Sequence, residues 1–152
     1  MSTTRRTLAG RLFAALAASA ATWRATASEA SAEAPKVPHV VYHLNEIQKV
    51  HFVLGNMANH VAGMGGPDKV ALTLVVHGPA LEYFRKVQAD GNLTARTAAL
   101  LKGGATLVAC GNTMKGANLS LADLVPGFVV AEEGGVVRIA RLQAEGYAYL
   151  RP

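Results

Sequence analysis

The sequence has 152 residues, of which 51% are hydrophobic and 16% charged, a balance that suits one buried core and excludes a disordered chain. A formal charge of +5 would suit a nucleic-acid ligand. However, Arg5, Arg6, Arg11 and Arg24 fall in an opening stretch without acids, and the rest holds eleven basic against ten acidic residues, which excludes that class. The single cysteine, Cys110, excludes an intrachain disulfide.

In chain order, Thr4-Arg5-Arg6-Thr7-Leu8 precedes an apolar run from Leu12 to Ala21, and Ala25-Thr26-Ala27 offers a small-x-small cleavage site. The paired arginines predict a twin-arginine signal peptide over residues 1–27, and hence a periplasmic protein exported by the Tat route, with the Sec route as the alternative. The apolar run is half of the roughly twenty residues a spanning helix needs, so no permanent membrane anchor is expected. Residues 28–38 carry two prolines and no periodicity and read as a flexible leader, which leaves one domain over residues 39–152.

That domain opens on the β-branched and aromatic run Val40 to Leu44, followed by apolar residues at Ile47, Val50, Leu54, Met57 and Val61, the stripe of a helix. Asn45 with Gln48 predicts a capping box at its start, and Gly63 its stop. Val70 to Val76 is apolar without alternation, as in a strand covered on both faces. Gly78-Pro79 suits a helix start, with Ala80, Leu81, Phe84 and Val87 on its buried side. Thr94 is placed to cap a further helix with Leu93 and Ala98 as its staple, ending at Gly103-Gly104. A third strand runs from Ala105 to Cys110. A polar stretch with a short helical turn leads to a fourth strand, Phe128 to Val130. The last helix opens at Gly135 with Val136, Ile139, Ala140 and Gln143 on one face, and Tyr147 to Leu150 forms a fifth strand. Alternating strands and helices predict a three-layer α/β/α domain around a five-stranded, mostly parallel sheet.

In such sheets ligands bind beyond the carboxyl ends of the strands. The residues leaving the strands are Asn45, His77-Gly78, Cys110-Gly111-Asn112 and Glu132-Glu133. Cys110 is the leading candidate, because a thiol where a strand turns into a helical segment lies near backbone N–H groups that favour thiolate, and Lys115 adds charge nearby. Its position alone also allows a small buried hydrophobe. His77 is suited to shuttle a proton or to bond backbone, Asn45 to cap a helix, and Gly111 and Asn112 to shape the turn after Cys110. His39 and His43 share a strand face, and His51 and His60 lie on the first helix. No His, Cys or carboxylate spacing predicts a metal, no phosphate loop follows the first strand, and no cofactor is expected. Glu132-Glu133 reads as an exposed acidic loop.

The segments Val41-Tyr42-His43-Leu44-Asn45, Val75-Val76-His77-Gly78-Pro79, Ala109-Cys110-Gly111-Asn112-Thr113-Met114, Leu124-Val125-Pro126-Gly127 and Gly146-Tyr147-Ala148-Tyr149-Leu150, in that order, resemble the DsrE-like family over nearly the whole domain. The resemblance implies a five-stranded parallel sheet, a homotrimer or homohexamer, and Cys110 carrying sulfur as a persulfide. It also implies partners that are small sulfur compounds or thiols acting as donor and acceptor. With one cysteine the acceptor is an external thiol. The other functions open to this sequence are a non-catalytic module that binds a small ligand or partner, and a thiol redox sensor.

Overall fold

The computed structural model describes residues 37–152, so the signal peptide expected at residues 1–27 and nearly all of the leader lie outside it. The strands are β1 (His39–Leu44), β2 (Ala71–Val76), β3 (Thr106–Cys110), β4 (Phe128–Ala131) and β5 (Ala148–Leu150). They form one sheet in the order β4-β3-β2-β1-β5, and every pairing is parallel. Between them lie α1 (Val50–Gly63), α2 (Pro79–Tyr83), α3 (Gly91–Lys102), α4 (Gly111–Gly116) and α5 (Gly135–Ala144).

The strand order explains the layers. Strands β1 to β4 are added successively in one direction, whereas the step to β5 returns across the whole sheet. Right-handed crossovers then place α5 on the face opposite the earlier helices. The strands divide their side chains accordingly, with the period of two that a pleat imposes. Tyr42, Leu44, Leu72, Leu74, Leu107 and Ala109 join the larger core with Val53, Leu54, Met57, Leu81, Phe84 and Leu93. Val41, Val75, Val108 and Ala131 meet Ile139 and Leu142 of α5 in a smaller one. Burial on both sides is why these strands read as continuous apolar runs.

Several local expectations are corrected. A 3-10 turn at Ile47–Lys49 precedes α1, so Asn45 caps no helix, and Glu46, at the turn's N-cap, makes no side-chain cap bond either. Gly63 is the last residue of α1, and the positive φ angles that reverse the chain fall on Gly65 and Gly66. Asp90, not Thr94, caps α3, its Oδ1 accepting the Leu93 N–H at 2.7 Å. Val87 and Val136 are exposed, at 79% and 66%, and the buried stripe of α5 is Gly135, Ile139 and Leu142. The helical segment expected to follow Cys110 is helix α4, six residues long.

Candidate functional site

Strand register brings the polar residues together at the carboxyl edge, on the α5 face. Val75 of β2 faces Val108 of β3, so two residues further on His77 stands level with Cys110. His43 of β1 faces Val75, one step behind His77. Tyr149 of β5 faces Val41, which puts Arg151 level with His43 as the chain leaves β5. Arg151, His43, His77 and Cys110 therefore lie in sequence across four neighbouring strands.

Cys110 ends β3 and is the N-cap of α4, while the first turn of α5 closes over it. The Gly135 N–H donates to Cys110 Sγ at 3.1 Å. Glycine eases that approach, since a Cβ on Gly135 would stand a tight 3.2 Å from the Cys110 Cβ and 3.3 Å from the His77 Cβ. The preceding Gly134 turns at φ +99°, and a Cβ there would meet the Asn112 side-chain nitrogen at 2.5 Å. The Thr113 hydroxyl accepts the Gly78 N–H at 2.9 Å, which leaves its own proton free to point at the sulfur. Burial pushes the Cys110 thiol up, but the Thr113 hydroxyl and the Gly135, Thr113 and Asn112 amides together hold it below the ordinary thiol value. The site thus favours thiolate while leaving it only 6% exposed.

The histidines form a second unit. The rings of His43 and His77 stack at 4.8 Å with 25° between their planes, and their Nε2 atoms face each other in a hydrogen bond. His43 Nδ1 pairs with the Tyr149 hydroxyl at 2.7 Å. Burial, then the neighbouring His77 and Arg151, lower the His43 pKa to about 4. Burial and Arg151 lower that of His77 as well. Both rings are neutral at neutral pH, and a single shared proton bridges the pair.

This arrangement has a consequence for stability. Between an ordinary histidine value near 6.5 and the folded value, the unfolded chain binds more protons, so stability is full above that window and falls as pH drops through it. The urea midpoint is expected to decline between pH 6.5 and about 4, the His43 contribution being about 1–2 kcal/mol after solvent screening of a half-exposed ring. His43→Gln should flatten the decline. An unchanged slope would show that the stacked pair does not hold its rings neutral.

The candidate residues named from sequence all reach this edge, but they divide. Cys110, His77 and Gly111 are packed together, with the Asn112 amide beside the sulfur and the Asn112 side chain over Gly134. Asn45 lies two strands away, its Oδ1 accepting from Arg151 at 3.0 Å. Lys115 turns outward to Glu132 at 3.4 Å, and Glu133 pairs with Arg141 at 3.1 Å. His39 packs edge-on against Tyr147, His51 pairs with Tyr83 and His60 with Tyr42. Among the described residues no three metal-ligating side chains converge. Sequence reasoning missed His43, Thr113, Gly134-Gly135, Tyr149 and Arg151. Two signals were present: His43 shares its strand face with Val41, and paired glycines at a helix start signal a close backbone approach.

A family model described as the DsrE/DsrF-like family matches residues 12–152. The chain belongs to the DsrE/DsrF-like family. The theme of that family is in general sulfur relay, in which its members act with partners. The DsrE-like chain is similar to two solved structures. A protein of unknown function from Methanobacterium thermoautotrophicum, MTH1491, is 27% identical with a TM-score of 0.66, over 76% of this chain and 99% of the other. The YchN protein of E. coli is 16% identical with a TM-score of 0.61, over the same shares, a likeness of fold. No curated protein matches the DsrE-like chain. The five-stranded α/β fold expected from sequence is thus the fold of its structural neighbours.

Proposed function

We propose that the protein is an exported sulfur carrier: Cys110 takes up sulfane sulfur as a persulfide and hands it to an external thiol. The observation that carries this reading is the 3.1 Å bond from the Gly135 N–H to the sulfur of the chain's only cysteine, at the meeting of two helix starts. Backbone amides favour the thiolate, and the thiolate is the nucleophile. The same donors suit a perthiolate, whose negative charge stays beside them. His77, level with Cys110 and neutral, relays the thiol proton toward His43, and Tyr149 links that pair to the exposed edge, where the proton leaves to solvent.

Arg5-Arg6 and the short apolar run after them support export to the periplasm by the Tat route. The exposed side chains of Val129, Val136 and Val137, beside the β4 end of the sheet and at the start of α5, support assembly into a homotrimer or homohexamer.

Intact-mass measurement tests the carrier reading. After incubation with polysulfide and removal of the excess, the protein is expected to gain one sulfur atom, located on the Cys110 peptide and released by dithiothreitol. Oxygen addition from peroxide without any sulfur uptake would overturn the reading in favour of a redox sensor. No reaction at all would favour a binding module.

A further inference from the structure

The row of residues running from Cys110 across the sheet ends in a cation. Arg151 is 45% exposed, and its Nη2 makes both of its bonds, to Asn45 Oδ1 at 3.0 Å and to Glu46 Oε1 at 3.2 Å. Among the described residues Nη1 and Nε have no hydrogen-bond partner. Glu46 is shared, because Lys49 Nζ lies 3.5 Å from the same carboxylate oxygen. Lys49 Nζ also donates to the Pro152 oxygen at 3.2 Å, so the open donors of the cluster are Nη1 and Nε of Arg151, and the neutral imidazoles beside it add no charge of their own.

Spacing decides what such a cation can hold. Three strand intervals separate Arg151 from Cys110, about 14 Å between backbones at the usual spacing. A compact inorganic donor such as thiosulfate cannot touch both. A tripeptide-sized chain, about 10 Å when extended, closes the distance once the Arg151 side chain leans inward over the end of β1. The reacting end must be thin, because Cys110 is nearly enclosed by the Gly134-Gly135 turn.

We propose that the sulfur donor is the hydropersulfide of a low-molecular-weight, carboxylate-bearing thiol of peptide size, with its carboxylate on Arg151 and its sulfane sulfur at Cys110. The inference rests on the carrier reading above and names its substrate. In the transfer, the Cys110 thiolate attacks the outer sulfur of R–S–SH. A bond forms between Sγ and that sulfur, the S–S bond that joined it to R–S breaks, and the electron pair leaves on R–S⁻. The proton stays on the transferred sulfur, so the products are Cys110–S–SH and the thiolate R–S⁻. No oxidant or reductant is consumed.

The test compares glutathione hydropersulfide with its diethyl ester, which has the same length without carboxylate charge, and uses polysulfide as a donor that needs no anchor. Wild-type protein is expected to load about tenfold faster from the acid than from the ester. Arg151→Ala should abolish that preference by slowing the acid far more than the ester or polysulfide, and Arg151→Lys should restore part of it. Equal rates for acid and ester in the wild type, or an Arg151→Ala variant slowed equally with every donor, would overturn the proposal. If polysulfide also fails to load the wild type, it is the carrier reading that falls.

Discussion

Cys110→Ser is expected to abolish sulfur loading completely while leaving the fold nearly as stable as the wild type. The sulfur sits in a closed pocket where the Gly135 N–H donates to it at 3.1 Å, beside the Thr113 hydroxyl and the Thr113 and Asn112 amides. A serine hydroxyl is smaller and also accepts a hydrogen bond, so the amide keeps a partner and the change in stability should stay within about 1 kcal/mol. Cys110→Ala also loses loading but leaves a buried N–H without an acceptor, a loss of about 1–3 kcal/mol. Denaturant unfolding of the three proteins, read beside intact mass after polysulfide treatment, separates the two roles of the side chain. If Ser and Ala prove equally stable, the Gly135 contact contributes nothing to the fold. Sulfur retained by either variant would show that the carrier is not Cys110.

Gly111→Ala is expected to be the most damaging single-methyl change near the site. A Cβ at Gly111 would stand 2.8 Å from the Ala131 carbonyl oxygen and 3.1 Å from the Glu132 Cα, and both of those neighbours are backbone. No rotamer relieves such a contact, so the end of β4 must move away from β3, at a cost of about 1–3 kcal/mol for overpacking. The same shift drags the β4–α5 turn, and with it the Gly135 amide, off the sulfur. The variant should therefore unfold at lower denaturant and load sulfur more slowly. Gly116→Ala, at the other end of α4, meets no atom within 4 Å and should be neutral or slightly stabilising, since alanine favours helix over glycine. A Gly111→Ala protein as stable as Gly116→Ala would mean that β3 and β4 do not close tightly behind the thiol.

The alternation of strands and helices was legible because both periodicities survive in the sequence. The strand-end rule then pointed, without any motif, to the edge where the candidate side chains meet. What escaped was non-local or decided by small energies. Asn45 and Gln48 carry the pattern of a capping box, yet the 3-10 turn at Ile47–Lys49 intervenes, and Asn45 takes Arg151 as its partner, a residue from the far end of the chain. Thr94 and Asp90 are both good caps, and the choice fell to the residue whose carboxylate reaches the Leu93 amide. Helix α4 has only six residues and a glycine at each end, too short for a periodic signal. Val136 looked like core because it leads an amphipathic helix, but the buried stripe starts one residue earlier, at the glycine that touches Cys110. His43 could be joined to His77 only through strand register, which sequence pattern does not supply.

The return of the chain across the sheet also bears on what encloses Cys110. Residues that precede β4 build the larger core and bring Cys110 to its strand end, but Gly135, Tyr149 and Arg151 arrive only with α5 and β5. The partner of β5 is β1, with Val40 facing Ala148 across almost the whole domain. A pairing of that separation carries the closure entropy of a loop that spans almost the whole domain. Without α5 and β5, Cys110 would be an open thiol lacking the Gly135 amide, and His43 would lack its Tyr149 partner. Shielding and the Gly135 hydrogen bond thus depend on one element: the crossover that covers the sulfur is also the one that supplies its amide donor.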